Sequence, residues 1–247
     1  MKLASIRVDH YDIPLPEVLS DSTHGDISRF ALVTVQVTDT EGARGEGYTY
    51  TVGNIGGSAV ASLLRDDLQG LLKECDPRCI EATWQKMWWH LHFVGRGGLA
   101  AIAKAAADVA LWDLKAVRAG EPLWRMLGGH ANRVNAYAGG IDLMFTIDQL
   151  MAQTASFLEQ GFGAIKMKVA RLAEAANLPV TSHGVHDLHV HLLAAVPNAS
   201  YLEVHGFGLE RFMAEPLRIE EHQAVAPERP GHGVVFDRDA LEVHRVS

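Results

Sequence analysis

Cysteine is almost absent from this chain. Its 247 residues include two, Cys75 and Cys79, around Asp76-Pro77-Arg78. One Cys-x3-Cys with no second pair is a poor basis for a metal knuckle or a disulfide framework, so both are read as reduced structural thiols. Positive charge is also scarce. Lys and Arg total 22 against 30 Asp and Glu, a formal net charge of −8. No basic field for nucleic acid or an anionic membrane is expected. No run of 18 apolar residues occurs, so no membrane span is expected. Residues 1–8 alternate like a strand and lack a signal-peptide core, which gives a cytoplasmic expectation. The glycine-rich stretch 52–58 lacks phosphate-loop spacing, and no repeat of 20–50 residues is evident.

What is present reads as ordered α/β structure. Residues 3–14 and 30–39 alternate Ile, Val, Leu and Thr as strands do. Between them, 14–26 reads as a polar loop. Asp39-Thr40-Glu41-Gly42 is a turn, so 30–50 predicts a β-hairpin. Apolar residues three and four apart predict helices over 58–73, 80–92 and 98–118. Gly95-Arg96-Gly97-Gly98 is either a small anion site or a plain helix entry. From Val134 the pattern changes to strand and helix in alternation. Strands are expected near 134–138, 164–169, 179–183 and 200–204, with helices over 147–160, 171–177 and 187–195. Such β/α units imply parallel strands and a TIM-type barrel, whose chemistry sits at strand C-termini. The tail reads as a loop around Pro230-Gly231-His232-Gly233 and a final strand at 241–246.

One stretch stands out, Ala164-Ile165-Lys166-Met167-Lys168-Val169. Residues two apart on a strand face one side. Lys166 and Lys168 therefore project together, and each lowers the other's pKa. A lysine so tuned can serve as a general base. The competing reading is two lysines on the solvated face of an edge strand.

Four stretches together resemble the enolase superfamily, in its mandelate racemase / muconate lactonizing enzyme branch and the acid-sugar dehydratases within it. They are Ala106–Lys115 with Pro122-Leu123 and Leu127-Gly128-Gly129; Lys166-Met167-Lys168; Pro179–His183 with Tyr201-Leu202-Glu203; and Pro230–Gly233. The resemblance implies α-proton abstraction from a hydroxy-carboxylate, then loss of water, with racemisation or epimerisation as the alternative. It implies Lys168 as general base, with Lys166 tuning it or touching the substrate carboxylate. It implies His183 as acid/base on the opposite face and Glu203 as a neutral acid bonding the enediolate. An N-terminal α+β domain would cap the barrel, with His24 and Tyr50 as candidate substrate contacts. The cofactor implied is Mg²⁺. The implied partners are a small hydroxy acid or acid sugar and further copies of the chain, a homo-oligomer.

The barrel is too short. Residues 132–247 are 116 in number, where eight units take roughly 250. The expected fold is therefore α/β plus α+β. A capping domain (1–131) precedes an incomplete barrel of about four units (132–211), and a C-terminal segment (212–247) returns to the cap. The acidic metal ligands of the middle strands are not found. Three hard oxygen ligands are what Mg²⁺ would need. The run His183, His186, Asp187, His189, His191 offers imidazoles suited to a transition metal instead. Without a counter-charge for the enediolate, an inactive, internally deleted relative is a third reading.

Overall fold

The computed structural model describes residues 1–21, 24–140, 144–166, 180–182, 185–195, 199–205 and 207–247. For Lys166, 180–182 and His205 the description is of the backbone alone. The predicted helix at 171–177 lies outside these residues.

In chain order the elements begin with strands β1 (Leu3–Asp21), β2 (Gly25–Asp39) and β3 (Arg44–Val52). Helix α1 (Gly57–Ser62) runs through a π-helical turn, Leu63–Leu68, into α2 (Gln69–Glu74). Helices α3 (Ile80–His90), α4 (Gly98–Ala119) and α5 (Leu123–Met126) follow. Then come β4 (Arg133–Gly139), α6 (Ile147–Glu159), β5 (Ile165–Lys166), β6 (Val180–Ser182), α7 (His186–Ala195) and β7 (Ala199–His205). The chain closes with β8 (Arg218–Glu220), β9 (Gln223–Val225) and α8 (Arg238–Glu242). Among the described residues no helix is long and apolar enough to cross a membrane.

Two compact units result. One comprises residues 1–14, 29–123 and 229–247; the other comprises 15–28 and 124–228.

The first unit carries a three-stranded sheet in the order β1-β2-β3. The predicted hairpin is present: β2 and β3 pair antiparallel from Thr38↔Arg44 to Phe30↔Val52. Its turn is tied by the Asp39 carboxylate, which accepts from the N–H of Glu41 and of Ala43. Arg118 of α4 closes over the same carboxylate. Burial works to raise the Asp39 pKa, but these bonds outweigh it and hold the group below its usual value.

Val33, Val35 and Val37 of β2 are fully buried with Leu64, Leu68 and Met87. Alanines 103, 106, 107 and 110 give α4 a smooth buried face in the same core. That face lets β3 approach closely. A Cβ on Gly45 or Gly47 would overlap the carbonyl oxygens of Ala110 or Ala106, so both positions need glycine. Lys104 is buried in that helix, its ammonium 4.1 Å from the Trp88 ring and 5.1 Å from Trp84. Burial, then the nearby Arg96, push its pKa down. Arg96 itself lies over Trp88 and Trp89, so the Gly95–Gly98 stretch is a helix entry with a stacked arginine.

The Pro230–Gly233 motif is a clamp within this unit. Asp113 accepts from the His232 N–H at 2.7 Å and the Glu46 N–H at 2.8 Å. The His232 Nδ1 accepts from the Val234 N–H, which leaves Nε2–H to donate to the Glu46 carbonyl. Arg238 and Arg245 both reach the buried Asp9 carboxylate.

Two expectations are corrected here. Residues 14–21 are not a loop, because β1 continues through Pro14 and Pro16 to Asp21. An edge strand tolerates proline, since the lost N–H faces away from the ladder, and β1 is the sheet edge. Residues 241–246 are not a strand. Asp237 accepts from the N–H of Asp239 and Ala240 and starts α8, and only Arg245 makes a bridge, to Tyr11. That side-chain cap outweighs the Leu241/Val243 alternation.

The second unit is built on β4. It pairs parallel with β7 on one side and with β5 on the other. Strand β6 pairs parallel with β7, so the parallel order is β6-β7-β4-β5. These are the four strands expected from the sequence. The hairpin β8–β9, which was not anticipated, adds to β4 at Arg133–Asn135.

Candidate functional site

Alternation along β4 sorts its side chains. Val134, Ala136 and Ala138 enter a core with Leu202, Val190 and Leu193. Asn135, Tyr137 and Gly139 therefore face the other side, as do Tyr201 and Glu203 of β7. The register pairs Tyr137 with Glu203 and Gly139 with Lys166. Strand β4 thus lies between the Glu203 strand and the Lys166 strand.

Glu203 is buried, at 1% exposure. The Tyr137 hydroxyl donates to it. Burial first, and then the Glu203 charge and this hydrogen bond, push the tyrosine pKa up to about 12. The tyrosine stays a neutral donor at any ordinary pH. Its ring meets Tyr201 edge-on with centroids 6.2 Å apart. Gly139 completes the seat, because a Cβ there would lie 2.7 Å from Glu203 Oε1. Tyr137 was missed in the sequence. The available signal was its place on the polar side of the Val134–Gly139 alternation, two residues before a glycine.

The other candidates are distributed as follows. Lys166 is on β5 beside Gly139. Lys168 and His183 lie outside the described residues. His24, at the tip of the β1–β2 hairpin, is exposed and pairs with Asp21 at 2.9 Å. Tyr50 is on β3 with its ring edge-on to Phe30, centroids 6.4 Å apart. The described strands therefore place Lys166 and Glu203 on either side of β4, two rungs apart, in the unit that also contains His24, while Tyr50 belongs to the other unit.

Helix α7 buries His186, Asp187 and His191. His186 Nε2 is 3.4 Å from Asp187 Oδ2. Among the described residues no group of three or more His, Cys, Asp or Glu side chains could hold a metal ion. The described part of the histidine run therefore forms no such cluster.

A cavity of about 350 Å³ lies within the same unit. Gly139, Glu17 and Leu19 line it together with one face of α6.

Comparison with known proteins agrees with this architecture. Residues 5–128 match the mandelate racemase / muconate lactonizing enzyme N-terminal domain, and 166–240 match the enolase C-terminal domain-like model. The chain belongs to the mandelate racemase / muconate lactonizing enzyme family. Within that family it is 37% identical to the 3,6-anhydro-alpha-L-galactonate cycloisomerase of Streptomyces coelicolor, over 96% of this chain and 97% of that protein. That alignment runs over 352 positions. Since 96% of 247 residues is about 237, about 115 positions have no residue in this chain. The L-talarate/galactarate dehydratase of Salmonella typhimurium is 32% identical over 64% of this chain, which is 41% of that protein. A racemase from Streptomyces coelicolor, solved with bound magnesium, superposes with a TM-score of 0.92 at 34% identity, covering 99% of this chain and 100% of that one.

Proposed function

We propose that this family member is a shortened acid-sugar dehydratase. Its strand-end site keeps the groups that handle a hydroxy-carboxylate, but its turnover is impaired because the strands bearing the metal ligands are missing. One observation carries the reading: about 115 positions of a full-length relative have no counterpart here. Among the described residues four parallel strands are present, where eight make a barrel, which supports the reading.

The roles follow the strand positions. Lys168 takes the α-proton, and Lys166, beside Gly139, tunes it or holds the substrate carboxylate. His183 serves as acid/base on the opposite face. Glu203, held by Tyr137, bonds the developing enediolate. His24 and Tyr50 are kept as candidate substrate contacts. The described residues do not fit a Mg²⁺ site, so no step is routed through the metal. A lysine base alone leaves the doubly charged intermediate without counter-charge. A second copy of the chain, adding its strands at β5 and β6, would supply the other half of a barrel.

A second reading is favoured by two relatives that are more than 30% identical along nearly the whole chain, a cycloisomerase and a racemase. It uses the same lysines and histidine and returns a proton to carbon instead of losing water. Incubation of the purified chain with Mg²⁺ and a panel of aldonates and aldarates, followed by NMR, separates these readings. The proposal expects no product within hours. Rapid dehydration would overturn the impairment, and solvent deuterium entering the substrate without water loss would favour the second reading.

A further inference from the structure

A second cavity, of about 240 Å³, lies within the first unit. One wall is the face of the β2–β3 hairpin turned away from α4. The register sets Gln36 opposite Glu46 and Thr38 opposite Arg44. Gln36, Glu46 and Arg44 therefore share a face, while Val35, Val37, Gly45 and Gly47 point to the α4 core. The C-terminal half of α4 and the tail around Pro230–Val235 supply the other walls.

Four charged residues line the cavity: Arg44, Glu46, Asp113 and Arg229. Both carboxylates are already engaged. Glu46 pairs with Arg238. The two Asp113 oxygens accept from the N–H of His232 and of Glu46. Arg229 is held to the tail by donating from Nη2 to the Gly233 carbonyl. Arg44 differs from all of these. It is exposed, and among the described residues its guanidinium has neither an ion pair nor a hydrogen bond. With Glu46 matched by Arg238, Arg44 and Arg229 stand against Asp113 alone. That is a local positive excess in a chain of net charge −8.

The remaining lining narrows the ligand. A guanidinium fork matches a carboxylate bidentately. Gln36 is the diagonal neighbour of Arg44 across the hairpin, within reach of a long side chain. Its amide also has no partner among the described residues, and it can donate to a second oxygen. Val117, Val234 and Val235 give an apolar wall for a short hydrocarbon body. The volume lies below that of drug-sized sites, which limits the ligand to a few carbons.

We propose that this cavity is a second binding site, for a short-chain 2-oxo carboxylate. Its carboxylate takes Arg44, its 2-oxo oxygen takes the Gln36 amide, and its alkyl end lies on the valines. The site belongs to the first unit alone and does not depend on the proposed strand-end chemistry.

The test is titration of the purified chain with 2-oxobutyrate, read by NMR at the methyl signals of Val234 and Val235. These should shift saturably with a Kd on the order of 1 mM, as a few polar contacts on a small ligand allow. Arg44→Ala should weaken binding about tenfold, the size of one charge-assisted bond. Gln36→Leu should weaken 2-oxobutyrate several-fold and leave butyrate, which lacks the oxo group, unchanged. Inorganic phosphate, without an apolar body, should bind about tenfold more weakly than 2-oxobutyrate. Lys166→Ala should leave the valine shifts as they are. Valine methyls that do not respond up to about 10 mM, tenfold above the expected Kd, would overturn the site. So would shifts that survive Arg44→Ala and Gln36→Leu unchanged, or phosphate binding as tightly as the 2-oxo acid. If 2-oxobutyrate shifts only strand-end signals, and Lys166→Ala removes them, the strand-end site stands and this one falls.

Discussion

The two units differ in how their elements are held. In the first, β3 lies on the alanine face of α4 so closely that Gly45 and Gly47 cannot carry a side chain. Its charges are paired or clamped, as at Asp9, Asp39 and Asp113. In the second, helix α6 has no buried residue, and Ile147 and Met151 are 77% and 65% exposed. The contrast teaches that the capping unit is a finished fold with its own core. In the strand unit, by contrast, α6 adds no buried side chain to the core around β4.

Substitutions sharpen this contrast. Gly47→Ala should have the largest effect, since the new Cβ must push β3 off α4. It should cost about 3 kcal/mol, read as faster hydrogen exchange of the β2–β3 amides. Exchange unchanged from the parent would break the claim of close packing.

Asp108 gives a smaller effect with a defined pH dependence. Burial first, and then Glu81, push its pKa up to about 6, from 3.8. The folded chain therefore holds this proton more tightly than the unfolded chain. The stability it contributes is full below pH 4 and is lost as pH rises from about 4 to about 6. After allowance for solvent screening the change should be about 1–2 kcal/mol. Asp108→Asn should remove that slope in urea unfolding followed across pH; an unchanged slope would place its origin elsewhere.

Met151→Ser should change least, within about 0.5 kcal/mol, because the side chain is already in water. A loss of 2 kcal/mol in the same urea titration would mean that α6 is packed after all.

Much of this was legible in the sequence. The turn residues Asp39–Gly42 placed the β2–β3 hairpin, and apolar spacing placed α3, α4 and α6. The strands β4 and β7, and their parallel sense, followed from the β/α alternation. Other features depended on partners that no local pattern reveals. β1 runs on through Pro14 and Pro16 because it is an edge, which only the sheet order shows. Alternation at 241–246 suggested a strand, but the Asp237 cap decided for α8. Tyr137 matters because it meets Glu203, 66 positions along the chain, through the β4–β7 register. The Pro230–Gly233 motif carried part of the family likeness and no assigned role, and within the first unit it clamps Asp113.

Under the proposed function, this chain would keep the family's acid/base groups without the metal ligands that make them effective. Calorimetric titration of the purified, EDTA-treated chain with Mg²⁺ tests it most directly. The account predicts no binding at micromolar affinity. One Mg²⁺ bound per chain at that affinity would contradict it.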